Sequence, residues 1–193
     1  MPAAPLGDPL TDRPNSEWDD VLLGAAREMK AGRAEEARLA LSHFIETTRD
    51  GLARREALAM RGTISTQLGD LDRAEQDLSL ALETTPAGTY SRYVIELGLA
   101  QVSERRSDAT RAARWYRAAI GTLLGGERFS GSVALEGLIR TVGLTGLDSK
   151  DEELLRLGCR HSWTVMRLEG DPPSDFSVAI SVIGRAERPS ERA

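Results

Sequence analysis

The side chains in this sequence that could do chemistry are few and scattered. Cys159 is the only cysteine, and His43 and His161 are the only histidines. A thiol nucleophile needs a base in contact and a third group to orient that base. Cys159 and His161 stand two apart, which on a helix turns them to different faces. Two histidines cannot build a three-histidine zinc site, and no second cysteine or clustered carboxylate completes another ligand set. Residues Gly126 to Gly131 carry two glycines spaced like those of a phosphate loop, but lack the lysine and follow a helix rather than a strand. They read as a helix–helix connection. Arg105, Arg106, Arg111, Arg114 and Arg117, with Trp115 and Tyr116, have the types that hold a phosphate or an acidic peptide. Arg111, Arg114 and Arg117, however, recur opposite Ala112, Tyr116 and Ala119, as the solvated face of a helix does. Trp115 reads as a packing residue between units and His43, beside Phe44, as a helix-surface or inter-repeat residue. No catalytic residue, metal or other cofactor is expected, and the chain is not expected to be an enzyme.

The elements that position these residues must therefore carry the function. With 193 residues the chain suits one domain and needs neither metal nor disulfide to fold. A net charge of -5 and a pI near 5.2 argue against direct binding of nucleic acid, which depends on clustered cations. Only Lys30 and Lys150 among the 25 basic residues are lysines, the bias of a GC-rich bacterial genome. No apolar run is long enough to cross a bilayer, and the first residues lack the charged and apolar regions of a secretion signal, so the expected location is the cytoplasm.

Prolines punctuate the chain. They crowd both ends, and Pro86 alone interrupts the middle, so 15–85 and 87–171 are free to be helical. Within them one apolar pattern recurs three times at offsets of 3, 7, 10 and 11: Ala34, Ala37, Leu41, Phe44, Ile45; Leu71, Ala74, Leu78, Ala81, Leu82; and Ala109, Ala112, Tyr116, Ala119, Ile120. Gly32-Arg33, Gly69-Asp70 and Ser107-Asp108 precede the copies as breakers or caps. A small residue, Ala25, Gly62 or Ala100, stands twelve positions before the second residue of each copy. The unit is a helix hairpin, with helices expected near 16–31, 33–48, 51–68, 70–85, 88–105 and 108–124.

Leu58, Gly62, Leu71, Ala74, Leu78, Ala81 and Pro86, with Gly69 to Ala74 opening the second helix, resemble the tetratricopeptide repeat family. The first unit departs from the pattern at Arg49, where the family often has proline. The third has Glu96 where a large apolar residue is usual, leaving Val94 and Gly98 as an alternative packing pair. The resemblance covers about 18–124 and implies an all-α, right-handed superhelical array of antiparallel helix hairpins. Residues 125–171 read as a divergent fourth hairpin, with helices marked by Val133 to Val142 and by Leu154 to Leu168. Residues 1–15 and 187–193 read as flexible tails flanking a repeat domain at 16–171 and a segment at 172–186. In that segment Phe176, Ile180 and Ile183 are expected to form a helix covering the region of Leu155, Val165 and Met166. Self-association through 176–184 is the competing reading.

The resemblance also implies a groove lined by the first helix of each unit, which takes a protein or peptide partner. By position the groove would carry Leu22, Ala26, Met29 and Lys30, then Glu56, Ala59, Thr63 and Gln67, then Arg92, Gln101 and Glu104. The only asparagine is Asn15, so the asparagine and lysine clamp by which some relatives grip a terminal carboxylate is missing. The function expected is that of an adaptor or regulatory scaffold. The alternatives are a ligand- or peptide-sensing module of a transcriptional regulatory system, and an enzyme whose helical site would gather buried polar groups at one point.

Overall fold

The computed structural model describes residues 17–126, 129–143 and 146–187. The regular elements among these residues are all helices, with no strand. The helices are α1 (Glu17–Lys30), α2 (Ala34–Thr47), α3 (Gly51–Leu68), α4 (Leu71–Thr84), α5 (Tyr90–Arg105), α6 (Ala109–Gly125), α7 (Ser132–Val142), α8 (Ser149–Val165) and α9 (Phe176–Glu187). The six helices expected before residue 125 lie within two residues of their expected ends. None of the described helices is long and apolar enough to cross a membrane. The tail readings for 1–15 and 188–193 lie outside the described residues.

Local chemistry starts and stops these helices. Asp50, Asp70, Thr89, Asp108, Asp148 and Asp175 each accept bonds from first-turn amides, satisfying donors that no intrahelical carbonyl can reach. The tight turns α1–α2, α3–α4 and α5–α6 share one device. Gly32, Gly69 and Ser107 occupy the same place with φ of 76°, 85° and 60°, a left-handed conformation that costs glycine little and serine about 1 kcal/mol or more. Pro86 lies between α4 and α5, where its missing amide breaks no helical bond.

Consecutive helices pack on one another, and each pair α1–α2, α3–α4 and α5–α6 forms a hairpin that also meets the next. The repeated apolar stripe is the reason: Ala37, Leu41, Ala74, Leu78, Ala81, Ala112, Tyr116, Ala119 and Ile120 have no exposed surface. Large side chains on neighbouring helices fill notches left by glycine. A Cβ on Gly62 would come within 2.7 Å of Leu78 Cγ, and one on Gly98 within 3.0 Å of Leu78 Cδ1. Tyr116 fills the notch at Gly137, and Leu135 the one at Gly158. Both candidate registers of the third unit are therefore used: Ala100 is buried with Ala112 and Tyr116 in its own hairpin, while Gly98 receives Leu78 from the hairpin before.

Two apolar cores meet at α5, which gives Ile95, Leu99 and Val102 to the first and Tyr93 and Ala100 to the second. Trp115 packs against both. Residues 176–187 form a helix that packs on α7 and α8, with Ala179, Ile180 and Ile183 buried in the second core beside Leu138 and Leu155. Two details differ from expectation. Val165 and Met166 are only half-buried and stay outside that core, because α8 turns its Leu155, Cys159 and Trp163 face inward instead. Glu187 belongs to α9 rather than to a tail, and its carboxylate accepts the Ser132 amide at 3.1 Å and the Ser132 hydroxyl.

Enlarging Ala74 to Leu should overpack α3 against α4 and lower stability by about 1–3 kcal/mol; an unchanged urea midpoint would contradict the packing described. Replacing Phe176, Ile180 and Ile183 together by serine should lower hydrogen-exchange protection most in α7 and α8 and least in α1 and α2. Uniform loss accompanied by halved mass would identify 176–187 as a dimer interface instead.

Candidate functional site

The first helices of the hairpins line two cavities that share a wall. The first, of about 420 Å³, lies among Leu22, Ala26 and Met29 of α1, Glu56, Ala59, Met60, Thr63, Ile64 and Gln67 of α3, and Val94 of α5. The second, also about 420 Å³, lies among Tyr90, Tyr93, Val94 and Leu97 of α5, the Phe129–Ser130 connection, Val133, Met166 and the end of α9. Val94 lines both, so the two adjoin at α5 as the halves of a trough bordered by α1, α3, α5 and α7.

The spacing on α3 makes the aliphatic half: residues 56, 59, 60, 63, 64 and 67 share a helical face. Glu56 accepts from Arg55 Nη2 at 2.8 Å and from the Ser91 hydroxyl at 3.3 Å. The Thr63 hydroxyl donates to the Ala59 carbonyl at 3.0 Å, leaving its methyl to the trough. The other half is aromatic. Ring centroids are 4.9 Å apart for Tyr93 and Phe129, and 5.3 Å for Tyr90 and Phe129 in an edge-to-face pair. Burial, reinforced by the nearby Glu187 charge, pushes the Tyr93 phenol well above its usual range.

Of the residues expected in the groove, Leu22, Ala26, Met29, Glu56, Ala59, Thr63 and Gln67 line the first cavity, whereas Lys30, Arg92, Gln101 and Glu104 line neither. Lys30 and Gln101 are exposed and line neither cavity. Arg92 turns away to donate to Glu96 at 3.0 Å and to the Thr85 carbonyl at 3.1 Å. Glu104 reaches across to α6 and α7, accepting from the Tyr116 hydroxyl at 2.7 Å and from Arg140 at 3.0 Å. Burial raises its pKa, but the bonds and charge from Arg140 and Tyr116 outweigh that and hold the carboxyl below its usual range. Helical position predicts which side of a helix faces the trough. It cannot tell a side chain that stays there from one drawn to a charge on the next hairpin.

The aromatic half was not anticipated, and one signal for it exists. Tyr90 and Tyr93 are three apart on the first turn of α5, so they share a face. Phe129 joins them from a loop, which periodicity does not see.

The other candidates resolve elsewhere. The basic cluster consists largely of braces between helices: Arg106 pairs with Asp72 and Glu75, Arg111 with Glu75, and Arg117 with Asp151 through bonds of 2.6 and 2.7 Å. Arg114 lies over the Trp115 ring, 5.9 Å from its centroid. Those partners are acids of α4 and α8, so the patch is less a solvated face than a set of ties between units. Cys159 is 2% exposed, and burial pushes its thiol up to about 11, the opposite of an activated nucleophile. Gly126 meets the Gly88 backbone so closely that a side chain there would collide with it, which accounts for the glycine without a phosphate. Among the described residues no group of three or more His, Cys, Asp or Glu is placed to hold a metal ion.

Glu96, at the site where an apolar residue was expected, is 3% exposed and satisfied by Thr122 at 2.7 Å and Arg92 at 3.0 Å. Burial raises its pKa more than those two groups lower it. The folded protein therefore holds this proton more tightly than the unfolded chain does. The resulting stabilisation is complete below the unfolded pKa and is lost as pH rises through the folded one. Glu96→Gln mimics the protonated acid, so its stability relative to the parent should rise between about pH 4 and about pH 7. Urea midpoints at both pH values test this, and a difference independent of pH would contradict it.

No protein-family model, curated protein or solved structure matches the chain, so the trough and its chemistry are what bear on function.

Proposed function

We propose that this chain is a protein-binding adaptor or regulatory scaffold, a tetratricopeptide-like right-handed array that holds a partner segment along the trough of α1, α3, α5 and α7. The observation that carries the reading is a pair of adjoining cavities, one aliphatic and one aromatic, with Val94 in the lining of both. Exposed apolar surface that is contiguous, concave and bordered by polar groups is what partner recognition uses. The trough's carboxylates are each met by hydrogen-bond donors and do not converge on a point where a reacting atom could sit, so binding is favoured over catalysis. A bacterial cytoplasm is the proposed setting, with no membrane and no direct nucleic-acid contact.

Thr63 is half-buried in the floor of the aliphatic cavity. Thr63→Arg should fill it and weaken capture of a native-host partner at least tenfold, about 1.4 kcal/mol, with little change in melting temperature. Leu80→Ser, on an exposed part of α4 outside the trough, should leave capture unchanged. The reverse pattern would place the binding surface on the outer face.

A further inference from the structure

A further cavity, of about 290 Å³, lies outside the trough where α8 meets the connection into α9. The spacing of Arg156, Cys159 and Arg160 puts them on one face of α8, and residues 171–174 with Phe176 complete the lining. Pro172, Pro173 and Phe176 are half-buried and Cys159 is almost wholly buried, which gives the cavity an apolar body. Three charged groups line it as well. Arg156 is held by Glu153, one turn back on α8. Arg160 and Asp171 are exposed, and among the described residues neither side chain pairs with the other or with any third group. An unmatched cation and an unmatched anion in one cavity select their guest by charge. A simple anion meets Arg160 but is repelled by Asp171, and a simple cation meets the reverse. A guest that carries both charges satisfies both groups.

We propose that this cavity binds a small zwitterion with an apolar side chain: an apolar α-amino acid or a short peptide of such residues. Its carboxylate pairs with the Arg160 guanidinium, whose planar fork takes both carboxylate oxygens at once. Its ammonium group pairs with Asp171, and its side chain packs on Phe176 and the two prolines. The site is independent of the trough. A guest there ties the connection at 171–175 to α8 and so strengthens the hold of α9 on the array.

Isothermal titration of the full chain with L-leucine, leucinamide and N-acetylleucine separates the two charges, since each derivative keeps one of them. Leucine should bind at least about tenfold more tightly than either derivative. Arg160→Gln should weaken leucine about tenfold without weakening leucinamide, and Asp171→Asn should weaken leucine as much without weakening N-acetylleucine. Both side chains are exposed, so neither variant should move the melting temperature of the free protein. Leucine should also raise hydrogen-exchange protection across 171–187. Arg54→Gln, at an exposed arginine of α3, should change none of these readings. Tighter binding of leucyl-leucine than of leucine supports the same site and assigns it to a short peptide. Equal affinity for leucine and its two derivatives, or loss of all three alike in either variant, overturns the inference. Inorganic phosphate or N-acetylleucine binding as tightly as leucine would make this a plain anion site and overturn it, as would the absence of binding by both leucine and leucyl-leucine.

Discussion

Leu78 has room for its side chain only because positions 62 and 98 have none. One branched side chain on α4 sits against a glycine of its own hairpin and a glycine of the next, and a methyl group at either place would press into it. That double contact sets how closely α3, α4 and α5 approach, and Tyr116 at Gly137 and Leu135 at Gly158 set the later spacings in the same way. Each such side chain contributes roughly 1.5–3 kcal/mol by burial, and its interdigitation fixes the register. Because α3, α5 and α7 receive Leu78 and Tyr116 from behind, their other faces stand side by side with that of α1, and the trough lies between them.

Polar contacts add direction to that packing. Arg61 on α3 forms a two-pronged pair with Asp77 on α4, both bonds 2.7 Å, and reaches back to the Ser42 hydroxyl on α2 at 3.1 Å. With Asp77 2% exposed, losing either partner would strand a buried charge, typically a cost of about 3–5 kcal/mol. Arg117 with Asp151 and Arg140 with Glu104 repeat the theme between later units. Arginine suits this work, since its planar fork fixes the angle of approach as well as the distance.

What could be read from the sequence was whatever repeats with the period of a helix. The apolar stripes, the Gly69 and Ser107 turns and Pro86 located the helices closely, and α9 was legible as a cap from Ile180 and Ile183. The places where the reading fell short are polar. Glu96 breaks the apolar pattern, yet it is buried with Thr122 and Arg92, and neither partner stands out in one sequence. Arg106, Arg111 and Arg117 look like a basic face until their acids, 31 to 36 residues away, are brought against them. Distance along the chain also hid the aromatic half of the trough, since Phe129 comes to Tyr93 from a connection and Glu187 from the end of α9.

The bond between Glu187 and Ser132 spans 55 residues, far longer than the neighbour-to-neighbour contacts that build the rest. Gly131, which begins α7, offers no side-chain cap of its own, so the first turn of that helix takes its acceptor from the end of α9. On a ribosome, the first three hairpins can therefore close as they emerge, each needing only the chain already made. The fourth cannot be finished until α9 arrives, and the aromatic end of the trough, walled by that helix, is the last part of the surface to exist. A nascent chain stalled before residue 187 would carry a completed aliphatic cavity opening onto an unfinished end.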